Sequence, residues 1–402
     1  MPVVNIYPAG NLIEIINRSF MSQISPQKHL AMNSWAVRML DSILQDYPRS
    51  QWIWHYEHGL LLKAVLEVGQ ATGMARYEQF VRDWVDHFVL TDGTIRTYRM
   101  DEFNLDQINS GKLLFPIYRQ TNEQRYRSAI ELLQEQLRCQ PRVTTGNFWH
   151  KNIYPHQVWL DGLYMVAPFE AEYAATFNKP EIFDDLTHQI ITIEQRVRDP
   201  ITGLLYHGWD ELKKQKWADP DTGCSPHFWG RAVGWYFMAI VDVLDFLPRA
   251  HPSRSDMINI LISLAQALTR TQDPASGLWF QVLDLPERPG NYREASVSAM
   301  LAYGFAKAVR KSYLVPEYLS AAQRAYRGLL ANMIRVNGRG ALTLEGICVV
   351  SGLGGDPYRD GSFEYYVGEP TAPNDFKGVG PFILASLEME SSGVEPAGFN
   401  SP

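Results

Sequence analysis

The 402-residue chain has little cysteine: Cys139, Cys224 and Cys348 stand far apart, and no C-x-x-C occurs. An odd, scattered set is a poor disulfide framework, so the expectation is reduced thiols in a cytoplasmic protein. Positive charge is also short. Lys and Arg number 37 against 44 Asp and Glu, a formal net charge of −7. That balance speaks against a nucleic-acid partner, whose phosphates need a basic patch, and against binding to an anionic membrane. No apolar run approaches the roughly 20 residues of a membrane span. Residues 1–9 lack both a basic n-region and a long apolar h-region, so no secretory signal is expected there. Familiar catalytic signatures are missing too. The chain has no G-x-S-x-G, G-x-G-x-x-G or H-E-x-x-H, and Ser110-Gly111-Lys112 lacks the upstream glycine of a P-loop. His55 and His58 fall at i, i+3, but no third ligand cluster accompanies them, so no metal and no cofactor is expected.

Aromatic residues are abundant: 11 Trp, 20 Tyr and 18 Phe make up 12% of the chain. A large core explains such a content, and so does a cleft that stacks flat sugar faces. Helical periodicity dominates the rest. A first amphipathic segment runs from about residue 28 to 46, and two segment types then alternate. One is nearly uncharged and rich in Gly, Ala and aromatics, with Gly59, Gly111, Gly162 and Gly234 in its first turns. Such a helix is buried on nearly every side. The other carries one apolar stripe and so faces water on its opposite side. Links from the first type to the second are short. Links back are long: roughly 91–104, 139–155, 199–226, 273–292 and 335–374. Long loops without helices of their own usually carry function. A repeat supports the modular reading, because Asp199-Pro200-Ile201-Thr202-Gly203-Leu204 returns as Asp273-Pro274-Ala275-Ser276-Gly277-Leu278. The pattern predicts an all-α, single-domain chain over 1–402. Six hairpins close into an (α/α)6 toroid with the long loops on one face; an open α-solenoid scaffold is the alternative.

In that geometry the inner helices aim their electropositive N-termini at one cavity. The residues there are His55, Glu57, Asp106, Asp161, Trp229, Arg231, Trp235 and Arg293, with His150, Lys151 and His207 in loops on the same face. Either aspartate alone reads first as a helix cap and only second as a catalyst. Two at equivalent points of successive inner helices converge across the cavity, where mutual repulsion raises one pKa, and paired carboxylates do acid–base work on glycosides. Arg231, flanked by Trp and Gly, suits a carboxylate ligand. Trp229 and Trp235 read as core or as a sugar platform, and His207 as a loop histidine or a substrate contact.

Five stretches, KNIYPHQVWLDGLYM (151–165), NLDQINSGK (104–112), LLYHGWDE (204–211), FWGRAVGWY (228–236) and GSFEYY (361–366), resemble glycoside hydrolase family 105, the unsaturated rhamnogalacturonyl hydrolases. The chain is more distantly similar to the family 88 unsaturated glucuronyl hydrolases. Before residue 50 no motif matches. The resemblance implies an (α/α)6 barrel that needs no metal and acts on a short oligosaccharide bearing a 4,5-unsaturated uronic acid at its non-reducing end. It implies Asp161 as acid/base and Asp106 as the second aspartate, with His207, Arg231, Trp229, Trp235, Lys151 and His150 as substrate contacts. Another lyase product as substrate, or a sugar epimerase on the same toroid, stands as the alternative activity. The aglycone sugar and the oligomeric state stay open.

Overall fold

The computed structural model describes residues 33–391. The reading of residues 1–9, and the first turns of the helix expected from residue 28, lie outside the described residues. The helices, in chain order, are α1 (Trp35–Gln45), α2 (Tyr56–Thr72), α3 (Ala75–Phe88), α4 (Leu114–Thr121), α5 (Gln124–Cys139), α6 (Leu160–Phe177), α7 (Glu181–Val197), α8 (Gly230–Val243), α9 (Arg254–Thr271), α10 (Ala295–Arg310), α11 (Leu319–Asn332), the short α12 (Phe363–Gly368) and α13 (Phe376–Ser391).

The two segment types separate as their side chains dictate. Every residue of α8 is buried, as is every residue of α10 from Ala295 to Ala308. By contrast α3 buries only Tyr77, Val81, Trp84, Val85 and Phe88, one stripe at helical spacing. Each large apolar side chain in such a stripe contributes roughly 1.5–3 kcal/mol by leaving water.

The inner helices form a closed ring. α2 packs on the segment leading into α4, that segment on α6, α6 on α8, α8 on α10, α10 on α13, and α13 back on α2. Outside them α3, α5, α7, α9 and α11 each cover the inner helix that precedes them, and α1 covers α13. The toroid therefore closes by pairing the first described helix with the last. The Trp35 backbone N–H donates to the Glu390 carboxylate across that seam at 2.7 Å. Glycine permits the close inner packing: a Cβ at Gly59 would stand 2.7 Å from Ser110 Cα.

The second inner helix departs from expectation. It begins as 3₁₀ turns at Leu105–Gln107 and Asn109–Leu113 before α4. Pro116 lacks the N–H that would bond back to residue 112, so regular α geometry is not continued upstream of it. This tighter winding is what carries Asp106.

Because every long loop joins an outer helix to the next inner N-terminus, all of them lie on one face. What strand structure they hold is in two-stranded antiparallel ladders: β1 (Gln157–Trp159) with β2 (Gly208–Asp210), β3 (Ile334–Val336) with β4 (Leu342–Leu344), and β5 (Ile347–Cys348) with β6 (Thr371–Ala372). The repeated loop motif is a capped turn. Asp199 accepts from the Thr202 N–H at 2.7 Å and Asp273 from the Ser276 N–H at 3.1 Å, with Gly203 and Gly277 both at φ +74°. A third copy lacks the Gly-Leu ending that marks the other two: Asp219 caps Thr222 at 2.7 Å before Gly223 at φ +83°.

Candidate active site

The β1–β2 ladder assembles the centre of the site. Trp159 pairs with Gly208, and the Leu160 N–H donates to the His207 carbonyl at 3.1 Å. This pairing sets His207, 46 positions further along the chain, beside the first turn of α6. There His207 Nε2 approaches Asp161 Oδ2 at 3.2 Å. The approach is close but poorly aligned, so both atoms are buried without a hydrogen-bond partner. Asp161 is not a cap: the helix start at Trp159 has no side-chain capping bond. The other nitrogen of His207, Nδ1, meets the Tyr366 hydroxyl at 2.9 Å. If that hydroxyl donates, the imidazole carries its proton on Nε2, toward Asp161.

Asp106 sits in a different environment. Asn104 caps its turn, accepting from the Asp106 N–H at 3.1 Å. The Leu105 N–H donates to the His150 carbonyl, tying that turn to the next loop. The carboxylate is buried, with Lys151 Nζ at 2.5 Å from Oδ2 and His150 Nε2 at 3.7 Å from Oδ1. Burial alone would raise its pKa, but Lys151, His150 and His55 together bring it down to about 2. The same pair holds Lys151 above its ordinary value in spite of burial. Burial pushes His150 down to about 4, so at neutral pH it faces Asp106 as a neutral imidazole rather than an ion-pair partner. A Cβ on Gly162 would stand 3.0 Å from His150 Nδ1, so a larger residue there would crowd that ring. Both aspartates act electrostatically on His150 and on Tyr56.

Three of the expected substrate contacts take other roles. Trp229 and Trp235 are each 1% exposed, because α8 is covered on all sides, and neither offers an open face to a sugar. Trp229 has Arg231 over its ring at 4.7 Å and His207 at 4.7 Å between centroids, and its Nε1–H donates to Gln281. Trp235 stacks on Tyr164 at 4.8 Å. Trp229 thus backs His207, while Trp235 packs against Tyr164 and Tyr56. Arg231 is likewise buried and turned to protein partners: Ser296, the carbonyls of Cys348 and Val349, and Glu294 at 3.9 Å. Glu294 in turn accepts from the Cys348 N–H at 2.9 Å and from Ser296 and Val297. This pair anchors the start of the 348–373 loop to the inner ring.

Other residues stand around these. Tyr56 packs beside His55 and near Trp235, at 4.5 and 6.2 Å between centroids. Glu57 is held below its usual range, against burial, by Lys377 at 2.6 Å. Tyr366 had a signal in the GSFEYY stretch, whereas Glu294 and Lys377 had none. His58 is bonded to the Tyr47 hydroxyl, so the i, i+3 histidine pair does not make a joint ligand set.

In this all-α toroid a carboxylate with an unbonded oxygen faces a histidine, and a second, buried carboxylate is held as an anion. The family model for Glycosyl Hydrolase Family 88 matches residues 31–392. The chain belongs to that family. It is similar to a glycoside hydrolase from family 105 of C. acetobutylicum ATCC 824, with TM-score 0.87 and 45% identity over 89% of this chain and all of that one. Among curated relatives, the 24.9 kDa protein in the picA locus of Rhizobium radiobacter is 40% identical over 230 residues, 56% of this chain and 97% of that protein. The unsaturated rhamnogalacturonyl hydrolase YesR of Bacillus subtilis is 28% identical over 270 residues, 66% of this chain and 73% of that protein. An unsaturated glucuronyl hydrolase from Bacillus sp. GL1 shares the fold at TM-score 0.66 and 14% identity, covering 89% of this chain and 96% of that one. Among the described residues no helix is long and apolar enough to cross a membrane.

Proposed function

We propose that this glycosidase removes a 4,5-unsaturated uronic acid from the non-reducing end of short rhamnogalacturonan-derived oligosaccharides, and that it does so by hydrating the C4=C5 double bond. The observation that carries the reading is the unbonded Asp161 carboxylate facing His207, next to an Asp106 that cannot take up a proton near neutrality. The name of YesR supports the substrate class.

The unsaturated uronate is an enol ether. Asp161 in its acid form delivers a proton to C4, and the positive charge that develops at C5 and the ring oxygen is attacked by water. The resulting Asp161 carboxylate takes the proton released by that water, so one residue returns to its starting state. The hemiketal at C5 opens, and the aglycone leaves. Asp106 supplies a fixed negative charge that favours the oxocarbenium-like state. Lys151 spends one N–H on Asp106; its two remaining donors suit the uronate carboxylate. Tyr56, packed beside His55 and near Trp235, suits a sugar hydroxyl. Trp229, Trp235 and Arg231 hold the scaffold behind these groups.

The test is loss of the ultraviolet absorbance of the conjugated enol-ether carboxylate when the enzyme meets a lyase-generated unsaturated disaccharide. Run in D₂O, the reaction must leave deuterium at C4 of the released uronate. Turnover without deuterium at C4 would sink the mechanism.

A further inference from the structure

The repeated loop motif delivers two residues to equivalent places. In its first copy, Asp199 to Leu204 is followed by His207, whose carbonyl accepts from the N–H of Leu160, the first residue of α6. In the second, Asp273 to Leu278 is followed by Gln281, whose carbonyl accepts from the N–H of Gly230, the first residue of α8, at 2.9 Å. Trp159 pairs with Gly208, and Trp229 with Val282. The module that brings a histidine to Asp161 therefore recurs at the next inner helix with glutamine in the histidine's place. The Gln281 side chain is fully buried and all its polar groups are matched. Its Oε1 accepts from the Trp229 indole N–H at 3.2 Å, and its Nε2 donates to the Tyr366 carbonyl at 3.0 Å and to Cys348 Sγ at 3.2 Å. An indole N–H only donates and a carbonyl only accepts, so these partners fix which end of the amide is which. The Tyr366 carbonyl needs that donor. A helical carbonyl at this position of α12 looks to the N–H of residue 370, which is proline and has none.

We infer that Gln281 is a positioning residue for His207: its amide holds two of the residues packed on the imidazole, so that Nδ1 stays bonded and Nε2 faces Asp161. Tyr366 places its hydroxyl 2.9 Å from His207 Nδ1, and the Trp229 ring lies 4.7 Å from the imidazole between centroids. The Trp229 and Tyr366 rings are themselves nearly parallel, at 14° and 6.1 Å. One side chain thus ties both to each other and to the loop that carries Cys348. The catalytic consequence rests on the hydration reading above, in which His207 faces Asp161. Without the amide, a buried indole N–H and a buried carbonyl lose their partner, and the Tyr366 backbone loses its anchor. The tyrosine hydroxyl then leaves Nδ1, and nothing selects the imidazole tautomer with its proton on Nε2. Few side chains replace glutamine here. Leucine serves neither partner, and a glutamate anion accepts from the indole but has no donor for the carbonyl. A protonated glutamic acid serves both.

The experiment reads the imidazole directly. In the full-length enzyme labelled with ¹⁵N-histidine, the His207 signals, assigned by their loss in His207→Gln, should report the tautomer protonated on Nε2. Gln281→Leu should move them toward a mixture of tautomers. On a lyase-generated unsaturated disaccharide its kcat should fall roughly tenfold, with KM changed by less than about twofold. Gln281→Leu/Tyr366→Phe should lose no more than the worse single variant, since both act through His207. Should the leucine variant fail to fold, Gln281→Glu decides. Protonated at low pH, its buried carboxyl supplies the acceptor and the donor, and kcat should match that of the native enzyme. As pH rises to about 9 and the carboxyl ionises, kcat relative to native should fall roughly tenfold. Native His207 signals and native kcat in a folded Gln281→Leu, or a Gln281→Glu whose kcat follows the native enzyme at every pH, overturn the inference. Turnover by the native enzyme without deuterium at C4 overturns the hydration reading alone, and the His207 signals still decide what Gln281 does.

Discussion

Asp106 and Asp161 occupy equivalent points on successive inner helices, yet their surroundings have opposite chemistry. Asp106 is pinned: Lys151 at 2.5 Å, a neutral His150 at 3.7 Å and a pKa brought down to about 2. Asp161 has one histidine facing it and an oxygen that no donor holds. A buried carboxylate paired with a cation is a fixed charge, and one left unbonded beside an imidazole is able to exchange protons. The difference arises from the loops. The 139–155 loop brings a lysine to Asp106, and the 199–226 loop brings a histidine to Asp161 through the β1–β2 ladder.

The sharpest way to break this contrast is Asp161→Asn. It removes acid and base together, and the expected loss in kcat is at the upper end of the usual 10²–10⁴-fold range for a general acid–base group, with folding retained. Steady-state kinetics alongside a thermal melt checks it; an active variant would show that the two aspartates are wrongly ranked.

Lys151→Met is next. It leaves Asp106 buried without its cation, which typically costs about 3–5 kcal/mol. Urea denaturation at neutral pH should register that loss. A variant as stable as the parent would mean that the pair is not what holds Asp106.

Asp106→Asn tests the fixed charge itself. Turnover should fall less than in Asp161→Asn, because Asp106 supplies charge and not the transferred proton. Stability carries a second signature. With a folded pKa of about 2 against an ordinary 3.8, Asp106 contributes stability that is present above pH 3.8 and is lost as pH falls through about 2. The asparagine variant should therefore lack about 2 kcal/mol of the acid-side decline seen in urea melts between pH 5 and pH 2.

The smallest effect is expected from Tyr366→Phe. It deletes the hydroxyl at 2.9 Å from His207 Nδ1, worth about 0.5–1.5 kcal/mol, and so costs up to about tenfold in kcat by loosening the tautomer that faces Asp161. Asp161→Asn/Tyr366→Phe should then be no worse than Asp161→Asn alone, since the tyrosine acts only through that residue.

Much of the fold is legible in the sequence. The alternation of uncharged, glycine-rich segments with striped ones is a statement about burial, and burial on all sides against burial on one side is already an inner and an outer ring. The place of Asp106 and Asp161 at the starts of inner helices follows from the same count. Trp229, Trp235 and Arg231 are ambiguous for a shared reason. An aromatic or a guanidinium at an inner N-terminus points to the cavity or to the next helix, and the residue type is the same in both cases. Here α8 is enclosed by α6 and α10, and the loop from residue 348 covers Arg231.

Local patterning, then, determined the ring, its polarity and the face that carries chemistry, because the hydrophobic period, the glycines and the loop lengths are properties of neighbouring residues. Partnership was decided only in three dimensions. Lys151 with Asp106, His207 with Asp161, Arg231 with Glu294 and Lys377 with Glu57 join positions 45 to 320 apart in the chain. A titrating group's behaviour depends on charges within a few ångströms, and no local pattern records which distant loop will supply them.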